Sequence, residues 1–276
     1  MEIGEAAALA DQFSLSLVCK VHSLPISERS SWARRWRQML GTSLGVRQAL
    51  DEQGRQMKIF AAARRVDRAR DRQMFVTLSA LVDDDGSGQC PALSNGRCGI
   101  YERRPLTCRT VPVHYSRPPS TLASYLDGFT RTPGYECETL TAPPILSVQG
   151  VLSEQLCAAR DQAVRQAAVD RVWKAALIER MGHPDTALAA GLPTVDDVIR
   201  NSDRGYASTV PMLAAWRVAL GRKLITAAAF EDICRRQLSL LQRSKEAPGL
   251  ADRRALYRDA VAQGSARFSP DQSLAG

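Results

Sequence analysis

Apolar residues recur with a period of two over residues 13–19, where Phe13, Leu15, Leu17 and Cys19 alternate with Ser14 and Ser16. That alternation predicts a short, half-buried strand. A second run, Met74, Val76, Leu78, Ala80 and Val82, predicts another strand that feeds the acidic turn of residues 83–88. Between the two the period changes. Ser27 is an N-cap candidate, and Trp32, Trp36, Met39 and Leu40 fall on one helical face until Gly41 and Gly45 interrupt it. A further helix is expected over residues 59–72, where Arg64 and Arg68, and Asp67 and Asp71, stand one turn apart and offer charge pairs.

The texture changes again beyond Pro144. Residues 117–144 are rich in Pro, Gly, Ser and Thr and predict an irregular loop, so a boundary is placed between a first domain, 1–146, and a helical second domain, 147–276. In the latter, Leu152, Leu156, Ala159 and Ala163 stripe one helix running to Met181 and Gly182, with Cys157 expected to pack beside the stripe. Thr194 and Asp197 form an S/T-x-x-D start signal, and helices follow over 210–220 and 226–243. In the last of these, Cys234 shares an apolar stripe with Phe230, Ile233, Leu238 and Leu241, as a small hydrophobe would. The polar, small-residue tail from about residue 263 is expected to be disordered. The fold class predicted is mainly α (α+β): a small, loop-rich cysteine module with short strands, followed by a C-terminal helical region.

At 276 residues, with 45% hydrophobic and 24% charged residues, the composition is that of a globular protein. No run reaches the ~20 apolar residues that span a bilayer. Glu2, Glu5 and Asp11 stand where a signal peptide would carry basic residues, so a cytoplasmic setting without membrane attachment is expected. The net charge of +8 divides into +4 in residues 1–143 and +4 in residues 144–276. So even a spread disfavours a single nucleic-acid footprint.

Cysteine usage adds the chemistry. Cys90, Cys98 and Cys108 follow one another as C-x7-C-x9-C, and Cys137 comes later in PGYECET. Ser94-Asn95-Gly96-Arg97 supplies turn chemistry between the first two, while Pro91 and Pro105 stiffen the backbone beside ligand positions. Arg97, Arg103, Arg104 and Arg109 favour thiolate, the metal-binding form. Where thiols stay reduced, clustered cysteines point to metal or catalysis. Two weaker candidates accompany them. Cys19 and His22 form a C-x-x-H pair, of which the plainer reading is a core cysteine and a surface histidine. His114, six residues after Cys108, is a ligand or a structural residue.

The run from Cys98 to Arg109 reads C-x-I-Y-x-x-R-P-x-x-C-R, and it resembles the YkgJ-like cysteine-cluster family, whose CxxCxxCC domain is described as zinc- or iron-chelating. In that resemblance Cys90 matches the family's preceding cysteine and Cys137 its trailing one, over about residues 74–140. The family's dense N-terminal C-x-x-C-x-x-C-C block is absent, and Cys19 alone stands in that region.

Three functions follow. In the first, Cys90, Cys98, Cys108 and Cys137 hold an iron–sulfur cluster or zinc, the cluster bringing a redox role. The wide gaps contain no tight C-x2–4-C knuckle of the kind structural zinc prefers, which leans to iron. Arg104 and Arg109 would offset a cluster's negative charge, with Tyr101 and Pro105 shaping its surroundings. In the second, the resemblance extends to flagellin lysine-N-methylases and implies a cluster-containing protein-modifying enzyme. No glycine-rich phosphate loop, H-E-x-x-H, G-x-S-x-G or G-x-G-x-x-G marks such a site. In the third, zinc staples an interaction module whose arginine faces meet an acidic partner, a protein or a nucleic acid.

Overall fold

A computed structural model describes residues 1–27, 34, 45–83, 89–95, 97–110, 117–122, 153–244 and 249–263. Apart from Ser27 and Arg34, the helix expected from Ser27 to Leu40 lies outside these residues, as do the boundary near residue 147 and the tail after residue 263. Among those described, the architecture is mixed α+β with helix predominant, as the pattern predicts. Strands β1 (Leu15–Pro25), β2 (Ala63–Asp67), β3 (Arg72–Val82) and β6 (Ser208–Pro211) form one sheet in the order β2-β3-β1-β6. A separate two-stranded ribbon joins β4 (Leu93–Ser94) to β5 (Arg97–Cys98). The chain divides into two compact units. One contains Met1–Lys20, Leu78–Arg103 and Val169–Gly276; the other contains Val21–Thr77 and Arg104–Ala168.

In the first unit, β1 runs antiparallel to β6 with Leu17 opposite Val210 and Cys19 opposite Ser208. Helices α1 (Ile3–Ala8), α5 (Arg171–Met181), α6 (Pro184–Ala190), α7 (Val195–Asp203), α8 (Leu213–Gly221), α9 (Ala227–Arg243) and α10 (Leu250–Gln263) complete it. Its centre is Phe13, Leu15, Leu17, Leu78, Leu177, Met181, Trp216, Phe230 and Tyr257, all sealed from solvent. The rings of Trp216 and Tyr257 lie 6.2 Å apart and tilted, an arrangement aromatic pairs favour. Gln237, wholly buried, donates to the carbonyls of Ala10 and Phe13 and so satisfies the chain between α1 and β1.

The first five residues of β1 are buried on both faces, not one. Ser16 is inward because it is partnered: its hydroxyl donates to Asp83 at 2.6 Å and accepts from Arg253 at 2.8 Å, while Ser14 also donates to Asp83 at 2.6 Å. Arg253 closes the network with an ion pair to Asp83. The apolar stripe read as one long helix ending at Met181 is two helices, α4 (Glu154–Val169) and α5, with the break at Asp170. Asp170 is completely buried, and its carboxylate accepts the backbone N–H groups of Ile3 and Gly4. Glu2 offers α1 no side-chain cap, so Asp170 takes over the orphan donors of that helix start. Beside it Lys174 donates to Glu2 at 2.6 Å, both side chains being almost fully buried. Burial pushes the Glu2 carboxyl above its ordinary value, and Lys174 pulls it back.

The stretch expected as helix over 210–220 begins as strand β6 and turns helical only at Leu213. Two other helix starts follow their signals. Thr194 and Asp197 form the full reciprocal capping box at α7, and Thr226 caps α9 by accepting from Ala229 at 3.1 Å.

In the second unit the largest difference from the pattern occurs. Residues 59–72 are not a helix: α2 (Val46–Phe60) ends where one was expected to begin, and β2 and β3 then form an antiparallel hairpin with Arg64 opposite Phe75 and Asp67 opposite Arg72. The physical reason lies in what each stretch can bury. Residues 46–60 carry Ala49, Leu50, Met57 and Phe60 on one buried face, whereas β2 has no apolar stripe, and its middle residues, Arg64, Arg65 and Val66, are exposed. Charged residues on such an outer strand also discourage edge-to-edge pairing. Asp71 adopts φ +50°, a left-handed turn conformation that aspartate tolerates. Leu24, Met57 and Phe75 pack together as one core cluster of this unit. Helix α4 belongs here, with Ala163 and Ala167 buried, but Cys157 is exposed rather than packed beside the stripe.

Candidate metal centre

In the first unit, β3 delivers the chain to Asp83, which is fixed by Ser14, Ser16 and Arg253. The segment then reaches Cys90. The amide of Leu93 donates to the Cys90 carbonyl at 2.9 Å, and that of Gly99 to Ala92 at 2.8 Å. Between these bonds β4 and β5 pair with Leu93 opposite Cys98 and Ser94 opposite Arg97. Asn95 takes φ +51° at the turn, as Asn-Gly hairpins require. The turn chemistry read from the sequence therefore builds a small ribbon that carries Cys98 on its second strand. Cys90 is exposed and Cys98 half-buried. Ile100, buried, anchors the ribbon's exit, while Tyr101 is 58% exposed in a single 3-10 turn.

In the second unit, Pro105 is extended and leads a one-turn helix, α3 (Leu106–Arg109). Proline suits this place because it lacks the N–H that a helix start would leave unpaired. The amide of Cys108 donates to the Pro105 carbonyl at 2.8 Å, and Leu106 is buried beneath the turn. Arg109 folds back, its Nε donating to the Arg104 carbonyl at 2.9 Å. That bond gives Arg109 a positioning task at the Arg104–Pro105 corner, which the sequence did not disclose. Cys108 faces outward and is exposed.

Cys137 and His114 lie outside the described residues. Among the described residues, no three His, Cys, Asp or Glu side chains stand together as a metal site. None of the six described cysteines is in a disulfide. Their surroundings sort them nonetheless. Cys19 is 1% exposed and Cys234 fully buried, and burial pushes each thiol up to about 12, away from the thiolate a metal needs. Cys19 thus takes the core role, and His22, three residues along the strand, is exposed and on the opposite side of the pleat. Cys90, Cys98 and Cys108 sit instead on short irregular elements with accessible sulfurs, the donor chemistry that suits zinc or an iron–sulfur cluster.

Asp83 went unnoticed in the sequence except as part of an acidic turn. The only signal was its place directly after an alternating strand, and its partners Ser14 and Arg253 are far away in the chain.

No helix among the described residues is long and apolar enough to cross a membrane. No curated protein and no solved structure matches the chain. Residues 47–137, about a third of the chain, match the family model CxxCxxCC, described as a putative zinc- or iron-chelating domain.

Proposed function

We propose that this protein binds a metal centre through Cys90, Cys98, Cys108 and Cys137, and that the centre is an iron–sulfur cluster in preference to zinc. The observation that carries the reading is the extent of the family match. Residues 47–137 take in these four cysteines, end on the last of them, and leave out Cys19, Cys157 and Cys234. The accessibility of Cys90, Cys98 and Cys108 sets them apart from the buried Cys19 and Cys234, and the family match sets them apart from the exposed Cys157. Four thiolates satisfy a tetrahedral zinc or a cluster. Gaps of seven, nine and twenty-eight residues contain no zinc knuckle, and they suit a cluster whose several metal atoms spread the attachment points. Bound there, a cluster would supply one-electron transfer. Residues of the chain would set its environment: Arg109 holds the Arg104–Pro105 corner, and the ribbon fixes Cys98.

Protein purified without oxygen tests this by its colour and by its content of iron, zinc and acid-labile sulfide. Brown protein that bleaches in Cys98→Ser and in Cys108→Ser is expected, with Cys157→Ser unaffected. Colourless protein with one zinc and no sulfide would replace the cluster by a structural zinc. Absence of both metals from protein refolded with either would end the reading.

A further inference from the structure

The β2–β3 hairpin carries a feature that metal binding does not use. A surface cleft of about 340 Å³ is lined by Ile26, Arg64, Val66, Arg68, Asp71 and Gln73, all within the second unit. Its frame is set by the hairpin register, which places Val66 directly opposite Gln73, and by the amide of Ile26 donating to the Asp71 carbonyl at 3.1 Å. Period-two alternation puts Arg64 and Val66 on the same side of the strand.

The charges there are not balanced. Asp67 is engaged by Arg72 at 3.3 Å and Arg70 at 3.9 Å. Asp71 accepts the Ser27 hydroxyl at 3.0 Å. Arg64 and Arg68 are both exposed, and neither has an ion-pair partner among the described residues. Two apolar side chains lie with them in the open: Val66 is 54% and Ile26 37% exposed. Two guanidiniums beside an aliphatic floor are complementary to carboxylates alternating with aliphatic side chains.

We propose that this cleft docks an extended acidic segment of a partner protein, with carboxylates on Arg64 and Arg68 and an aliphatic side chain against Val66 and Ile26. Small-molecule sites bury most of their ligand, and the exposure of Val66 and Ile26 marks a cleft too open for that. Among the described residues that line it none is aromatic, the side-chain type on which single-stranded nucleic acids stack. β2 is the outer strand of its sheet, a position at which extended segments dock on other proteins.

The test uses the full chain and a fluorescein-labelled peptide in which glutamates alternate with valines, read by fluorescence anisotropy. Binding is expected, weakening with salt and by about tenfold or more in the double variant Arg64→Gln/Arg68→Gln, since charged hydrogen bonds of this kind carry at least that factor. Val66→Asp should weaken it too, whereas Arg258→Gln on α10, which removes an exposed charge elsewhere, should leave it unchanged. Equal binding by wild type and the double variant, or no binding at all, would overturn the proposal. So would glutarate competing as well as the unlabelled peptide, or duplex DNA binding through the same two arginines more tightly than the peptide. Each outcome is independent of metal content, so this result and that for the cysteines can fail separately.

Discussion

At the scale of single residues, burial separates cysteines that a count treats alike. Cys234 packs at zero exposure on α9, and burial raises its thiol to about 12. Cys234→Ala is therefore expected to cost ~1 kcal/mol in urea unfolding, as small core truncations do, with bound metal per chain unchanged. A fall in metal content would place this cysteine among the ligands. Asp197 gives a residue-scale prediction in pH. The Thr194 hydroxyl, followed by the Thr194 amide, holds the Asp197 carboxyl below its ordinary value. A carboxyl lowered in the folded state stabilises above the unfolded pKa of about 3.9, and that contribution is lost as pH falls through the folded value. The stability gap between wild type and Asp197→Ala should thus be full near about pH 6 and narrow below about pH 4. A gap that stayed constant to about pH 2 would show that packing, not the ionised cap, sets it.

At the scale of elements, the decisive groups are those that end one segment while starting another. Asp170 stops α4, precedes α5 and caps α1 through the amides of Ile3 and Gly4. Replacing it by alanine leaves the buried N–H of Ile3 and the half-buried N–H of Gly4 without an acceptor, a penalty of about 1–3 kcal/mol for a fully buried group. Asp170→Ala should therefore lower the unfolding free energy by about 3 kcal/mol, and Asp170→Asn, which keeps a carbonyl acceptor, by clearly less. Equal losses in the two variants would mean that the charge, through Lys174 and Glu2, matters more than the cap. The hairpin β2–β3 makes a related point. Arg64, Asp67, Arg68 and Asp71 have the spacing of helical charge pairs, yet Asp67 pairs with Arg72 across the hairpin. Spacing alone does not distinguish the two, because an ion pair five residues apart closes equally well around a turn.

At the scale of the whole molecule, the proposed metal centre would support stretches that the backbone leaves as short ribbons and single turns. Around Cys90, Cys98 and Cys108 the regular elements are only two to four residues long, too short to be stable without outside support. Metal binding to the folded form is then a source of folding free energy. Treatment with a chelator should lower Tm by about 3 °C or more, the size expected for ~2 kcal/mol in a chain of this length. Cys98→Ser should melt at the lowered value and show no further response to chelator. A chelator response that survives in Cys98→Ser would locate the metal elsewhere.

What the sequence determined by itself was local. Alternation at 13–19 and 74–82 specified strands, the first of which begins at Leu15 and runs on to Pro25; Thr194 and Asp197 specified a helix start, and Asn95 followed by Gly96 specified a tight turn, because each signal acts through neighbours a few residues away. The stripe holding Cys234 likewise placed that thiol in a core, and the metal chemistry expected from clustered cysteines agrees with the zinc- or iron-chelating description of the family match. Tertiary structure decided what depends on distant partners. Ser16 is buried because Asp83 and Arg253 meet it, the long C-terminal stripe breaks because Asp170 is needed at α1, and residues 63–76 form a hairpin because Phe75 has Leu24 and Met57 to pack against. Periodicity counts faces within one segment. Which face is buried, and which charge is answered, is fixed only when segments far apart in the chain come together.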